Sequence, residues 1–216
     1  HSSFNTGPVS GESNYVGGLI GVLYADNQIR DSYNEGSVLG SSDDVGGLIG
    51  TIYYGNHVNS SFSTGLVSGN SDVGGLIGSW YRTDNTTANT ITNSYWAMDV
   101  SGQASSFLSS VNNSYIGLPL ATLMCAIQTN TDATNSNCVS MDGSTEGLNV
   151  AVTLYKDWDE SKWGFGNDQQ LPGLKLASVV FRDSDGDGSL DEYDAFYLNP
   201  VASIDDDHDG YPDSWT

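Results

Sequence analysis

Ten of the 22 aspartates of this chain lie in its last 34 residues, where they are spaced rather than clustered. The first set follows the pattern Asp-x-Asp-x-Asp-Gly-x-x-Asp-x-x-Asp, and a second set repeats this pattern as far as its fourth aspartate. Alternate carboxylates in a tight loop converge on one point, and the glycine after the third aspartate permits the sharp turn. Calcium, a hard cation, accepts roughly six to eight such oxygen ligands in flexible geometry.

The spacing therefore predicts two calcium-binding loops, and calcium is the expected cofactor. In each loop the residue two positions beyond the third aspartate contributes its backbone carbonyl. The predicted ligands are Asp183, Asp185, Asp187, Ser189, Asp191 and Asp194 in the first loop, and Asp205, Asp207, Asp209, Tyr211 and Asp213 in the second. A solvated acidic tail is the alternative, but three carboxylates in one short loop repel one another unless a cation is present.

Two departures from the usual loop are visible in the sequence. Asp194 stands at the position that usually carries Glu, and its shorter side chain makes bidentate closure less certain. The second set reaches Thr216 before its last ligands appear, so either the chain is cut inside a repeat, or another chain or a water molecule completes the site.

The linker between the two sets, which contains Phe196 and Tyr197, and the exit Asp213-Ser214-Trp215 resemble thrombospondin type 3 repeats. The resemblance covers about residues 181–216, and it implies a calcium-binding region of a bacterial extracellular protein. The family pattern has an aromatic-proline pair in the linker, whereas here the proline is delayed to Pro200.

A repeat occupies the part of the chain before these loops. The hexapeptide VGGLIG occurs at residues 16–21, 45–50 and 73–78, with spacings of 29 and 28 residues. A Ser-aromatic pair keeps the same period, at residues 3–4, 32–33, 61–62 and 94–95. Each unit has three short extended pieces separated by Gly, Asn, Asp and Ser, and no unit has helical periodicity. A period in this range, with short strands, predicts an all-β fold built as a parallel β-solenoid of about 29-residue rungs.

The hexapeptide is predicted to form one strand with two faces, and the face that contains Leu19 and Leu23 is predicted to point inward. Both faces are apolar near the middle of the strand, so it is either buried on both sides or its outer face meets a partner. Glycine stacked at every rung indicates a close approach of backbones.

The VGGLIG motif with a following aromatic residue, together with the Ser-aromatic element, resembles the bacterial GLUG repeat over about residues 1–100. That family is known from large surface and secreted proteins, including adhesin-like proteins. The resemblance implies a β-solenoid spacer or display surface and implies no reaction. The chain begins within a repeat, which indicates a segment of a longer protein.

Three regions follow from these patterns: β-solenoid repeats at 1–97, a capping segment at 98–178, and the calcium-binding region at 179–216. In the capping segment, residues 118–124 predict the start of a short helix. Tyr155, Trp158 and Trp163 either cap the last rung or form an aromatic platform for sugars. Cys125 and Cys138 are predicted to form a disulfide that closes a surface loop, and two free buried thiols are the alternative. A disulfide places the protein in an oxidising compartment, so we expect an extracellular or cell-surface location.

The composition excludes some classes of function. The chain carries 6 basic and 27 acidic residues, for a net charge of −21, so it lacks the clustered positive charge that binds nucleic acid. Its apolar runs are too short for membrane insertion. The sequence contains no HExxH motif, no GxSxG elbow and no P-loop, so no enzymatic activity is expected.

Three hypotheses about function remain. The first is a structural or adhesive segment of an extracellular bacterial surface protein that calcium makes rigid. The second is a subunit that assembles with itself, end to end or laterally, into an extracellular filament. The third is a module that binds a cell-surface glycan or protein through solenoid aromatics, namely Tyr24, Tyr53, Tyr54, Trp80 and Tyr81.

Overall fold

The computed structural model describes residues 1–81, 88–105, 115–124, 154–155, 157–167 and 169–215. The chain forms two compact units, His1–Leu123 and Met124–Thr216. Cys125 and Cys138, and with them the predicted disulfide, lie outside the described residues. Across the described residues, no helix has the length and apolar character needed to cross a bilayer.

The first unit is built almost entirely from short strands. In chain order these are β1 (Phe4–Asn5), β2 (Val9–Gly11), β3 (Val16–Gly17), β4 (Ile20–Ala25), β5 (Gln28–Asn34), β6 (Val38–Gly40), β7 (Val45–Gly46), β8 (Ile49–Tyr54), β9 (His57–Ser63), β10 (Val67–Ser68), β11 (Val73–Gly74), β12 (Ile77–Trp80), β13 (Thr90–Thr92), β14 (Ser94–Ala97) and β15 (Tyr115–Leu118). Two single-turn helices, α1 (Met98–Ser101) and α2 (Leu120–Leu123), precede and follow β15 in the chain. The second helix lies where the sequence predicted one.

Equivalent strands of successive repeats pair in parallel, and this confirms the predicted β-solenoid. The four sheets have the orders β1-β5-β9-β14-β15, β2-β6-β10, β3-β7-β11 and β4-β8-β12, with β13 also paired to β9. The register follows the repeat, since Phe4 pairs with Tyr33, Tyr33 with Phe62 and Phe62 with Tyr95. Each rung is therefore one turn of about 29 residues.

The expected division of a rung into three extended pieces is wrong. The hexapeptide forms two strands, as β7 and β8 show, because the chain bends at Gly47 and Leu48 between them. A rung thus has four strands. The bend also overturns the prediction of a single inward face, since Leu48 and Ile49 are both fully buried in one core. Beyond the bend the prediction holds in the first copy, where Leu23 is buried and Val22 is exposed, but not in the second, where Thr51 and Ile52 are both buried.

Columns of like side chains fill the interior of the solenoid. One core cluster combines Leu and Ile of the VGGLIG segments with apolar residues of the strands that follow them, and a second is made of valines from β3, β6, β7 and β10. Phe4, Tyr33 and Phe62 stack with ring centroids 5.2 and 4.9 Å apart. Asn27, Asn56 and Asn89 form an amide ladder. Each side chain packs against, or hydrogen-bonds to, its equivalent in the next rung. The buried apolar contacts and the hydrogen bonds therefore repeat with the same period.

The second glycine of VGGLIG makes room for a further column, in which Asn34, Ser63 and Trp96 occupy equivalent positions of successive rungs. A Cβ at Gly18 would collide with the side chain of Asn34, one at Gly47 with Ser63, and one at Gly75 with Trp96. The close approach of backbones that the sequence predicted is confirmed as well, since a Cβ at Gly18 would also collide with the carbonyl oxygen of Gly47, and one at Gly47 with that of Gly75. The indole of Trp96 is the largest member of its column, and its Nε1 donates to the carbonyl of Gln103 at 2.9 Å.

Residues after α1 take the hydrogen-bonding positions beyond the last rung. The side chain of Gln103 donates to the carbonyl of Val67 at 3.0 Å, and the amide of Gly75 donates to the carbonyl of Ser105 at 3.0 Å. Backbone groups that would form an open sheet edge are thereby satisfied.

The second unit contains a small antiparallel sheet. Its strands are β16 (Trp163–Gly164), β17 (Gly173–Leu176) and β18 (Val179–Phe181), with β17 between the other two. Tyr155, Trp158 and Trp163 are buried, and the two indole centroids are 4.4 Å apart. Rings packed in a core have no face available to a sugar, so the aromatic-platform hypothesis is wrong for these three residues.

Substitution of Gly36 tests the backbone contact between rungs. A Cβ at Gly36 would collide with the carbonyl oxygen of Gly7, whereas at Gly7 the nearest atom is the Asn5 Oδ1 at 3.8 Å. Gly36→Ala should destabilise the solenoid by about 1–3 kcal/mol, and Gly7→Ala by no more than about 0.5 kcal/mol. Urea unfolding followed by far-UV circular dichroism measures both. Equal losses in the two variants would contradict this account of the repeat glycines.

Candidate metal-binding loops

The first aspartate loop begins directly after β18 ends. Its base is closed by a backbone hydrogen bond of 2.8 Å from the amide of Asp191 to the carbonyl of Arg182. Gly186 and Gly188 have φ values of 77° and 98°, which side chains on L residues rarely tolerate, so these glycines permit the tight path of the loop. The backbone path of the loop therefore depends on its own residues, and the end of β18 fixes where the loop begins.

The three alternate carboxylates of this loop converge. Asp183, Asp185 and Asp187 each offer a carboxylate oxygen, and these oxygens lie within 4.8 Å of one another. Asp183 is only 2 % exposed, and its two oxygens accept hydrogen bonds from the amides of Gly186 at 2.8 Å and Gly188 at 2.9 Å. Backbone amides therefore fix the first carboxylate at the centre of the loop.

Three buried carboxylate oxygens in the loop accept no hydrogen bond. They are the Oδ2 atoms of Asp185, Asp187 and Asp194. The other oxygen of each residue accepts a backbone amide, from Asp187, Ser189 and Phe196 respectively. Asp194 is 6 % exposed, so its second oxygen is a buried acceptor that lacks a donor. A buried carboxylate oxygen without a donor is costly unless a cation is close to it.

The pKa values of three carboxylates in the loop are raised, which indicates that their negative charges are destabilised. Burial, with added repulsion from Asp187, Asp194 and Asp183, raises the pKa of Asp185 to about 6. Burial is also the main cause that raises the pKa of Asp183 and of Asp194, and the charge of Asp187 adds to both. The bare negative charge of each carboxylate is therefore less favourable than in solvent, and a bound metal ion would offset this cost.

This donor set fits calcium. All the unsatisfied atoms are carboxylate oxygens, and they come from a short loop with flexible geometry, which suits a hard cation of variable coordination number. Asp183, Asp185, Asp187 and Asp194 are the residues that would hold the ion. The carbonyls of Ser189 and Tyr211 remain predicted ligands.

Asp191 is held by side-chain donors, in contrast to Asp183, whose two oxygens accept backbone amides of the loop. Its Oδ1 accepts the amide of Ser184 at 2.7 Å, and its Oδ2 accepts the hydroxyl of Ser184 at 2.7 Å and the side-chain amide of Gln170 at 3.0 Å. The Nε of Arg182 lies 4.0 Å from the same Oδ2. Both carboxylate oxygens are therefore engaged by protein donors.

The second loop repeats the first at a distance of 22 residues along the chain. Asp205, Asp207 and Asp209 converge within 4.8 Å, and the amide of Gly210 donates to Asp205 as Gly188 does to Asp183. Its base is closed in the same way, by the amide of Asp213 and the carbonyl of Ile204 at 2.9 Å. Asp213 accepts the amide of Asp206, as Asp191 accepts that of Ser184.

The two loops differ in burial and in backbone strain. Asp207 and Asp209 are exposed, while their counterparts Asp185 and Asp187 are partly buried. His208 occupies the position of Gly186 with a φ of 60°, which is unfavourable for a side chain of this size. We therefore expect the second loop to bind an ion more weakly than the first.

Sequence reasoning did not identify Gln170, Arg182 and Ser184 as part of the site. Arg182 is one of only 6 basic residues and precedes Asp183, which was a usable signal for a charge partner. Ser184 lies inside the loop motif at a variable position. Gln170 is 21 residues away from Asp191 along the chain, and only the fold brings the two together.

A second surface of the molecule matches a sequence hypothesis in part. Tyr24 and Tyr81 are 62 % and 47 % exposed, and Tyr53 lies between them with ring centroids 4.9 and 5.1 Å away. Burial and a hydrogen bond with Tyr15 raise the pKa of Tyr53. We call these residues, with Tyr54 beside Tyr24, the tyrosine strip. Trp80 does not belong to it, because its side chain packs against the solenoid core.

Compared with known proteins, the chain matches no family model, no curated protein and no solved structure. The geometry of the loops and surfaces is therefore the basis for assigning a function to this chain.

Asp194→Asn tests whether the buried acceptor is a metal ligand. The substitution removes the charge of a buried oxygen that has no donor, so calcium binding at the first loop should be lost. Glu192→Gln is the matched control, since this exposed side chain lies two residues away and loses the same charge. Isothermal titration calorimetry with calcium measures both variants. Equal calcium affinities in Asp194→Asn and Glu192→Gln would show that Asp194 is not a ligand.

Proposed function

We propose that this chain is a non-enzymatic structural or adhesive segment of an extracellular bacterial surface protein, made rigid by calcium at its C-terminal loops. The observation that carries the proposal is the set of three buried carboxylate oxygens without donors at Asp185, Asp187 and Asp194. They lie in a chain of net charge −21, whose aspartates repel one another in the absence of a cation.

The two parts of the molecule suit this role in different ways. The solenoid supplies length and flat faces through repetition of one rung. The aspartate loops have little apolar core of their own, and their order depends on local hydrogen bonds and on the neutralisation of charge. Binding of an ion to the folded loop alone stabilises that loop by mass action.

An extracellular setting agrees with the calcium requirement. Calcium loops of extracellular modules work at ion concentrations of about 10⁻⁴ to 10⁻³ M, where partly exposed sites such as the second loop still fill. The resemblances to GLUG repeats and to thrombospondin type 3 repeats support the same assignment to a bacterial surface or secreted protein.

Removal of calcium should loosen residues 181–215 before any strand of the solenoid. At a calcium concentration of 100 times the Kd, binding stabilises the folded loop by about 2.7 kcal/mol, which corresponds to about 100-fold slower amide exchange. Hydrogen exchange measured by mass spectrometry, in calcium and in chelator, gives this ratio for each peptide.

Strands β5 and β9 serve as the internal control in that experiment, because their hydrogen bonds involve no aspartate loop. Their exchange rates should be the same in the two buffers. Unchanged exchange of residues 181–215 in chelator would refute the proposal.

A second candidate function is glycan binding at the tyrosine strip. The strip is an exposed row of uncharged aromatic residues on a strongly acidic chain, so a neutral sugar polymer is favoured over an anionic one. Tyr53 has a neighbouring ring on each side, so stacking of a sugar is open only at the outer faces of Tyr24 and Tyr81. The hydroxyl edges of the strip would then supply the polar contacts.

Alanine substitution at both ends of the strip tests this candidate. Tyr24→Ala combined with Tyr81→Ala should abolish binding of neutral glycans on an array, since each lost stacking contact is worth about 0.5–1.5 kcal/mol. Tyr193→Ala is the control, because Tyr193 is 68 % exposed and lies in the second unit. Absence of any neutral glycan bound by the unsubstituted chain would remove this candidate.

A further inference from the structure

The side-chain cluster around Asp191 links the first aspartate loop to the small sheet of the second unit. We infer that Asp191 is a positioning residue, not a direct calcium ligand, and that through Gln170 and Arg182 it couples ion binding in the loop to the stability of strands β16–β18. This inference depends on the proposed calcium function, and it adds a route by which the ion would act on the fold.

Protein donors already occupy both oxygens of the Asp191 carboxylate. Asp191 has a side chain 5 % exposed, and three hydrogen bonds from Ser184 and Gln170 occupy its two oxygens. Asp194, three residues later, keeps a buried oxygen with no donor. An ion can take the oxygen of Asp194 without breaking a hydrogen bond. Both oxygens of Asp183 also accept hydrogen bonds, but from backbone amides of the loop itself, and they converge with those of Asp185 and Asp187. Ligation by Asp191 would instead compete with the side-chain donors Ser184 and Gln170.

Arg182 connects Asp191 to the small sheet. Arg182 is the residue after β18, and its guanidinium donates to the carbonyl of Gly164 in β16 at 2.6 Å. Its Nε lies 4.0 Å from the Oδ2 of Asp191, and its carbonyl accepts the amide of Asp191. One residue thus contacts the first strand of the sheet, the end of the third strand and the closing residue of the loop.

Gln170 provides the second connection. Its Nε2 donates to Asp191, and its Oε1 accepts the amide of Asn167 at 3.2 Å in the segment between β16 and β17. A displacement of Asp191 would therefore move Gln170, and with it the segment that joins these two strands. Hydrogen bonds that hold a ligand loop in place commonly change metal affinity by about 10-fold to 100-fold when they are removed.

The second aspartate loop shows which of these contacts are specific to the first loop. The second loop has the same backbone closure, but Ile204 stands where the first loop has Arg182. Asp213 accepts a backbone amide from Asp206, in the same way as Asp191 accepts that of Ser184. The loop fold therefore needs only the carboxylate at this position, and the arginine and glutamine contacts are an addition specific to the first loop.

The test is calcium titration and hydrogen exchange on the full chain, with peptides that cover residues 163–181 as the readout. Calcium should slow exchange in these peptides of the unsubstituted protein. Gln170→Ala should lower calcium affinity by no more than about 10-fold, yet abolish the calcium-dependent protection of residues 163–181. Gln169→Ala is the matched control, since only its backbone amide makes a hydrogen bond here.

Asp191→Asn provides a second variant, with Glu192→Gln as its control. It should weaken calcium binding by about 10-fold to 100-fold and remove the protection of residues 163–181 at saturating calcium. Because the ligand variant Asp194→Asn should lose binding altogether, the two aspartates are separated by titration. Near-UV circular dichroism of the buried Trp158 and Trp163, which lie in the same unit as the substitutions, reports whether each variant folds.

Three results would overturn the inference. Loss of all first-loop binding in Asp191→Asn, as in Asp194→Asn, would make Asp191 a ligand. Calcium binding without protection of residues 163–181 in the unsubstituted protein would remove the coupling while leaving the proposed function intact. No calcium binding by the unsubstituted protein would refute both, and calorimetry alone distinguishes that case.

Discussion

Backbone hydrogen bonds between successive rungs hold the solenoid together and constrain its other features. Because each strand pairs in parallel with its equivalent one repeat away, like side chains must stack in columns. Apolar columns form the core, and asparagine columns bond to themselves. Any residue that prevents close approach of two rungs disturbs every column, and for this reason glycine recurs at the bend where Asn34, Ser63 and Trp96 enter.

The aspartate loops follow a different physical rule. Their order comes from backbone amides that bind carboxylates, and this arrangement brings negative charges together instead of separating them. Burial raises the pKa of Asp185 to about 6, so the loop carries a cost that a cation relieves. The solenoid is stabilised by contacts within the chain, whereas we propose that a cation completes the loop.

The local patterns were the most predictable part of the structure. Three copies of one hexapeptide and a matching aromatic element predicted the parallel β-solenoid and its period, and the alternate aspartates predicted two convergent clusters. The number of strands in a rung was wrong because two successive glycines allow either an extended strand or a bend. The aromatic platform was wrong because Trp158 and Trp163 read the same in sequence whether they are exposed or packed together.

The repeat period, the columns and the spacing of the carboxylates could be predicted from the sequence alone, since all three depend on residues close together in the chain or at one fixed period. Which carboxylate oxygens lack donors depends on the tertiary fold. Asp191 and Asp194 occupy equally plausible positions in the motif, yet the fold brings Gln170 and Arg182 to Asp191 and leaves the Oδ2 of Asp194 without a donor. Burial and the donors from distant segments separate the two aspartates, and neither is encoded in the spacing of the loop.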